Sequence, residues 1–431
     1  MSTTQDNYYD PSNPIAYSNT AYIRQRDYYV SGAQHPPRNM FTHERSLTDR
    51  RLLYRRGTLL YTRPPQRQFN LPSEASQQAI RTNSYRKVAK FWVDMLYAEP
   101  PNMRVSNTSV QDFIGRHRDN VVRVMMLAGI GATVEGVGIV VSLNPGEVGF
   151  VNACNWYPGV DAGNQEAIVQ HNLVYPFIEG DVEAPNRVKV VTIEGTRLES
   201  RVFSYEGNNL DGSAFEIDTR TVPENAVVAV YHEASESLYG ESGYIDMYPL
   251  VEELNRRFQK NSNVLEKHSD PNMQVPASTL NGEDGEQQTI PLGDGEGKAI
   301  AVNEGDPDVK YVTFDGKLEA SFEQIDKMKN ELFEVTALSP AIFGDMQNLG
   351  TADSGAALKR LTLPTTQRLK KLRRYHEEAI RSLYTALGGW EGVSPNDLAE
   401  MEITWNEPFR ESDSEVVETE IAKLGADLIA S

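Results

Sequence analysis

Apolar residues recur at helical spacing near both ends of the chain's ordered pattern and at strand spacing between them. In SYRKVAKFWVDMLYAEPP (84–101), Val88, Phe91, Trp92, Met95 and Leu96 fall three and four apart. That spacing predicts an amphipathic helix, halted by the double proline. NTSVQDFIGRHRDNVVRVMMLAG (107–129) opens on polar cap-type residues and continues as a second helix. The most apolar run, VVRVMMLAGIGATVEGVGIVVSL (121–143), is interrupted by Arg123 and Glu135. It reads as a buried helix end followed by a strand, not as a membrane span. From about 137 to 232 short β-type runs alternate with Gly, Asn, Asp and Pro turns, which predicts a mostly antiparallel β region.

The pattern then changes. DMYPLVEELNRRFQKNSNVLEKHSDPN (246–272) places Leu250, Leu254, Phe258 and Leu265 on one helical stripe, with Pro249 in the first turn, where proline is tolerated. Residues 273–316 are rich in Gly and acids and have no helical period; they predict a small β-containing excursion. A further helix, 317–338, repeats Leu318, Phe322, Ile325, Met328, Leu332 and Val335 at steps of four and three, a stripe suited to one partner helix. It would span roughly 30 Å. After Ser339-Pro340 comes a polar loop rich in Gly, Asn, Asp and Thr. A long basic helix follows, with Pro364 inside it, running to about Leu387 before GGW stops it. EITWNEPF is strand-like, and the acidic helical pattern after it reaches Ser431 without a stop signal, as in a chain cut within a helix. Residues 1–40 read as an extended arm. Residues 38–68 carry many arginines and no lysine, so they suit either nucleic acid or the acidic neighbours of an oligomer.

Charge narrows the classes. The 431 residues hold 42 Lys and Arg against 61 Asp and Glu, a net charge of -19. A protein that grips DNA neutralises phosphates; this one would surround DNA without sticking to it, or is simply soluble. One cysteine, Cys154, excludes an internal disulfide and a Cys-based zinc site. The N-terminus lacks the basic patch and apolar run of a signal peptide. Chemistry is scarce. LGDGEGKA has Gly297-Lys298 but leucine at 292 and Ala299 where a phosphate loop needs Gly and Ser or Thr. No nucleophile elbow is present, and no two of the seven histidines lie four apart. His232-Glu233 reads as structural, with catalysis as the other reading. The sequence therefore predicts no enzyme, no metal and no cofactor.

The order of elements resembles the portal proteins of tailed bacteriophages. YIDMYPLVEELNRRFQKNSNVLEKHSDPN looks like that family's first stem helix. LFEVTALSPAIFGDMQNLGTADSGAALKRL looks like its second stem end, tunnel loop and wing helix, and FWVDMLYAEPPNM is similar to its N-terminal wing helix. The SP…FG…SGAALK series is the most specific part. The resemblance covers about 84 to 405 and is absent as a clear motif in the last 25 residues.

The resemblance implies an α+β portal fold. Its parts would be an N-terminal arm (1–68), a mixed α/β wing (69–245), stem helices at 246–268 and 317–340 flanking a clip (269–316), a tunnel loop (341–354), a long kinked wing helix (355–390) and a crown-proximal segment (391–431). It implies a homo-oligomeric ring, typically a dodecamer, at one capsid vertex, with double-stranded DNA passing through without sequence specificity. The expected partners are the terminase large subunit, a head–tail adaptor, and the major capsid and scaffolding proteins, with no membrane. The expected location is the virion, and the host cytoplasm during assembly. Met346, Gln347, Asn348, Leu349, Gly350 and Thr351 would form the loop at the DNA. Glu323, Lys327, Asn330 and Glu334, opposite the apolar stripe, would face the channel, and Pro364 would kink the wing helix. The basic run 367–378 suits either DNA or a neighbouring subunit's acidic face. A non-channel acidic virion adaptor or scaffold protein is the alternative reading, and an enzyme with an unread site a third.

Overall fold

A computed structural model describes residues 82–160, 167–179, 182–206, 209–235, 238–269, 273–276, 299–302, 318–343 and 355–406. The helices are α1 (Ser84–Tyr97), α2 (Thr108–Glu135), α3 (Met247–Ser269), α4 (Leu318–Val335), α5 (Gly355–Glu391) and α6 (Pro395–Ala399). The strands of the main body are β1 (Asn102–Arg104), β2 (Val137–Val141), β3 (Gly149–Val151), β4 (Trp156–Val160), β5 (Ile168–Glu179), β6 (Val182–Glu194), β7 (Arg197–Glu206), β8 (Asn209–Thr221) and β9 (Val227–Tyr231). β10 (Met273–Pro276), β11 (Ala299–Val302) and β12 (Glu402–Thr404) complete them. The chain is a mixed α+β fold. It divides into two compact units, one holding Tyr85–Ile245 and the chain from Thr365 onward, the other holding residues 82–84 and Asp246–Pro364.

In the first unit, β4 to β8 form an antiparallel meander and β3-β2-β9 a three-stranded antiparallel sheet. A single apolar core joins them, built from Val137, Ile139, Trp156, Leu173, Ile193, Leu198 and Tyr239 among others. Inward-facing residues of both sheets meet in this one core. β1 pairs antiparallel with β12, so the strand-like EIT segment closes on the residues after α1.

The apolar run 121–143 resolves as expected into a helix end and a strand. Asn107 caps α2 by accepting the Ser109 N–H at 3.0 Å, and the helix continues to Glu135. It stops because Gly136 takes φ +102° while its N–H bonds Ala132 O at 2.7 Å, a conformation that L side chains rarely adopt. Glu135, fully buried, is no accident of composition: its carboxylate accepts the Ala153 N–H at 2.7 Å, satisfying a backbone donor that would otherwise be orphaned in the core. β2 then lies against α2 so closely that a Cβ on Gly138 would stand 2.1 Å from Ala128 O and 2.7 Å from Ala128 Cα. Gly115, on the exposed side of the same helix, has nothing within 4 Å of its missing Cβ. Gly115→Ala should therefore stabilise the protein by about 0.5–1 kcal/mol, read as a raised denaturant midpoint.

One expectation fails in this unit. GGW does not stop the basic helix, which runs to Glu391. Gly388 and Gly389 are there for close approach: a Cβ would meet Leu398 Cδ1 at 2.9 Å on the first and Pro223 Cβ at 2.7 Å on the second. The stop comes at Gly392, with φ +73°, and Val393 N–H bonds Gly388 O at 2.9 Å.

In the second unit α3 and α4 pack on each other. Pro249 stands in the first turn of α3, as its fixed φ allows. The parallel pair β10-β11 represents the excursion between the two helices among the described residues.

Candidate functional site

The α3–α4 pair is where the sequence placed function. Its seam holds Val251, Leu254 and Ile325, all buried. A hydrogen bond from Ser321 Oγ to Asn261 Oδ1 at 2.8 Å joins the C-terminal half of α3 to the first turn of α4, as in an antiparallel pair. The seam is narrower than the apolar stripes predict. Val251 and not Leu250 is buried in the seam, while Leu265, Phe322 and Val335 are exposed. The reason is that a two-helix contact covers only one side of each helix, so residues at the flanks of the stripe stay wet.

α4 ends in a defined way. Ala337 takes the left-handed φ of +54°, its N–H bonds Glu334 O at 3.0 Å, and the Leu338 N–H reaches Phe333 O at 2.9 Å. These are the two bonds of the Schellman motif, here with Ala where Gly is usual. Ser339-Pro340 and a short 3₁₀ turn, Pro340–Phe343, follow. The loop residues Met346, Gln347, Asn348, Leu349, Gly350 and Thr351 lie outside the described residues.

Glu323, Lys327, Asn330 and Glu334 form one exposed face of α4. Lys327 donates to Glu323 at 2.7 Å, one turn away, with both side chains about two-thirds exposed or more. That hydrogen bond and the lysine charge hold Glu323 below its usual range. The single cation of the face is thus answered within its own helix. Pro364 lies inside α5, exposed, at the last residue of the second unit.

The basic run of α5 has partners that sequence reasoning missed. Arg368 and Lys371 both bond the Glu233 carboxylate. Burial alone would raise the Glu233 pKa; the hydrogen bonds from Lys371 and Arg368, with their charges, outweigh it and bring it down to about 2. Arg373 donates to Asn406 O at 2.6 Å and lies over the Trp405 ring at 5.8 Å. Just past the run, Arg381 bonds Met401 O. Much of the run is therefore spent inside its own chain, an option beyond the DNA and neighbouring-subunit readings. The partners lie more than 130 residues away in the case of Glu233, and no local pattern signals them.

Next to this cluster sit two buried histidines. His376 Nδ1 is 2.8 Å from the Tyr97 hydroxyl, and burial pushes the ring down to about 3. His232, one residue before Glu233, has Nδ1 3.4 Å from Thr133 Oγ1. Burial, then the Arg368 charge, likewise pushes it to about 3. Gly129 and Gly243 leave room for the rings, since a Cβ on either would approach an imidazole atom within 3.1 Å. Both rings are closed to solvent and pack within the unit. Among the described residues no group of three or more His, Cys, Asp and Glu can hold a metal, and no helix is long and apolar enough to cross a membrane.

No protein-family model matches the chain. No curated protein matches it. Among solved structures, a chain from the neck of an empty GTA particle, computed with C6 symmetry, is similar over 82% of this chain and 89% of that one, at 13% identity and a TM-score of 0.45. A likeness that slight carries no argument about function.

Proposed function

We propose that the chain is a portal subunit: a homo-oligomeric ring at one capsid vertex, through which double-stranded DNA is packaged and ejected. It has no catalytic step and no cofactor. The terminase large subunit supplies the work, and a head–tail adaptor, the major capsid protein and scaffolding proteins dock around it. It resides in the virion, and in the host cytoplasm while the particle assembles.

The observation that carries this reading is the polar face of α4. A long helix packed on a second presents Glu323, Lys327, Asn330 and Glu334 to solvent, with its one lysine held by a carboxylate at 2.7 Å. DNA gains affinity from neutralised phosphates, each adding a salt-sensitive attraction. A face whose one cation is already paired lets a duplex slide past. The loop at 346–351 and Pro364 follow α4 in the order that the portal resemblance requires.

The test is negative-stain electron microscopy of the purified chain together with its native mass. Closed rings with a central hole wide enough for a duplex are the expected result. A monomer at high concentration, or a small assembly without a hole, overturns the reading in favour of an acidic adaptor.

A further inference from the structure

The Ser321–Asn261 hydrogen bond marks one height on the α3–α4 seam. From it, the neighbouring residue on each helix turns out of the seam by about 100°. One step back on α3 is Lys260, and the same side carries Arg256 and Glu253. One step forward on α4 is Phe322, and the same side carries Asp326 and Lys329. In an antiparallel pair a backward step on one helix and a forward step on the other rotate in the same sense. The two faces therefore lie on opposite sides of the two-helix layer.

Their charges are complementary height by height. Arg256 and Asp326 each stand five residues from the hydrogen bond, about 7.5 Å along the axis, and Glu253 and Lys329 each stand eight, about 12 Å. At the height of Lys260 the opposite face shows Phe322, a large apolar side chain 47% exposed. Within each helix these charges already contact one another: Arg256 Nε and Arg257 Nε bond Glu253 at 2.6 and 2.7 Å, and Lys329 bonds Asp326 at 3.1 Å. On each face the charges are thus paired within one helix.

We propose that successive copies of this chain pack head to tail through these faces, with Arg256 of one opposite Asp326 of the next, Glu253 opposite Lys329, and Phe322 covered by the Lys260 stem. The proposal rests on the ring reading. A closed ring relates its subunits by rotation without rise, so residues at equal height meet. A contact between unlike faces is the kind that closes rings. Like charges at any of these heights would oppose it.

Arg256→Glu and Asp326→Arg test it, each in the full chain. Each variant alone should keep the helical circular dichroism of the parent and lose the ring mass. Mixed in equal amounts they should regain it by alternating around the ring. At one junction the two introduced charges then face each other, opposite in sign, and at the next the parental Arg256 faces the parental Asp326. Phe322→Ser, at an exposed position, should weaken the ring without the charge change. Rings from either charge variant alone, or no rings from the mixture, overturn the proposal while leaving the portal reading standing. A parent chain that forms no ring removes both.

Discussion

Acidification from pH 6.5 to 4.5 should destabilise the first unit by roughly 7 kcal/mol, which is comparable with the whole stability of an ordinary domain. Three imidazoles are responsible. Burial pushes His232 and His376 from 6.5 to about 3, and His171 from 6.5 to about 4. His171 is further engaged, its Nδ1 accepting from the Trp156 indole at 3.1 Å. Above pH 6.5 the folded and unfolded chains hold these rings equally neutral, so nothing is lost. Below it the unfolded chain takes up protons that the folded chain refuses, at a slope approaching about 1.4 kcal/mol per ring per pH unit. The loss continues toward the folded-state values. Glu233, held at about 2 by Lys371 and Arg368, adds a further loss in the same direction below 4.5, where the unfolded chain protonates this carboxylate and the folded chain does not. All four tryptophans, Trp92, Trp156, Trp390 and Trp405, lie in this unit, so denaturant titrations followed by tryptophan emission read it alone. His376→Gln, which keeps an acceptor for the Tyr97 hydroxyl, should make the pH slope shallower by one proton. A midpoint that stays flat between pH 7 and 5 would refute the assignment.

Gly138→Val should cost more than about 3 kcal/mol, above the usual range for an overpacked core. The added carbon would sit 2.1 Å from Ala128 O. The obstacle is backbone on both sides, so no side chain can rotate away. α2 would have to lift off β2, opening the core around Val137 and Ile139. The expected readout is a fall in thermal midpoint of roughly 10 °C for a unit of this size, or loss of soluble protein. A midpoint within a few degrees of the parent would show that α2 and β2 yield more easily than their packing implies.

The sequence disclosed elements where period is decisive. The helical stripe of α1, the helix-to-strand change near Glu135 and the alternating runs of the meander all follow from local repeats of side-chain polarity. Gly388 and Gly389 misled because a glycine is ambiguous: it ends a helix when φ must be positive, and it continues one when another segment, here Pro223 and Leu398, comes too near for a Cβ. The basic run misled in a different way. Its charge was plain, but its destination was not, because Glu233 and Asn406 reach it only through the tertiary fold. For the candidate face, helical spacing alone gathered Glu323, Lys327, Asn330 and Glu334 on one exposed side. The flanks bearing Phe322 and Arg256 were hidden, because one stripe was credited with burying more than a two-helix seam can cover.

The first unit is assembled from separated stretches of chain, with Asp246–Pro364 lying between them in sequence. This fixes an order during synthesis. Glu233 leaves the ribosome 135 residues before Arg368, a delay on the order of ten seconds at ordinary elongation rates. For that interval β9 and the His232 side of α2 lack the α5 surface that covers them. The nascent protein therefore carries an open apolar face with an unanswered carboxylate beside it. In the second unit α3 and α4 both arise within Asp246–Pro364, so their seam is available first. Shielding of the early product, by a chaperone or by speed of elongation, belongs to the first unit and ends when α5 arrives.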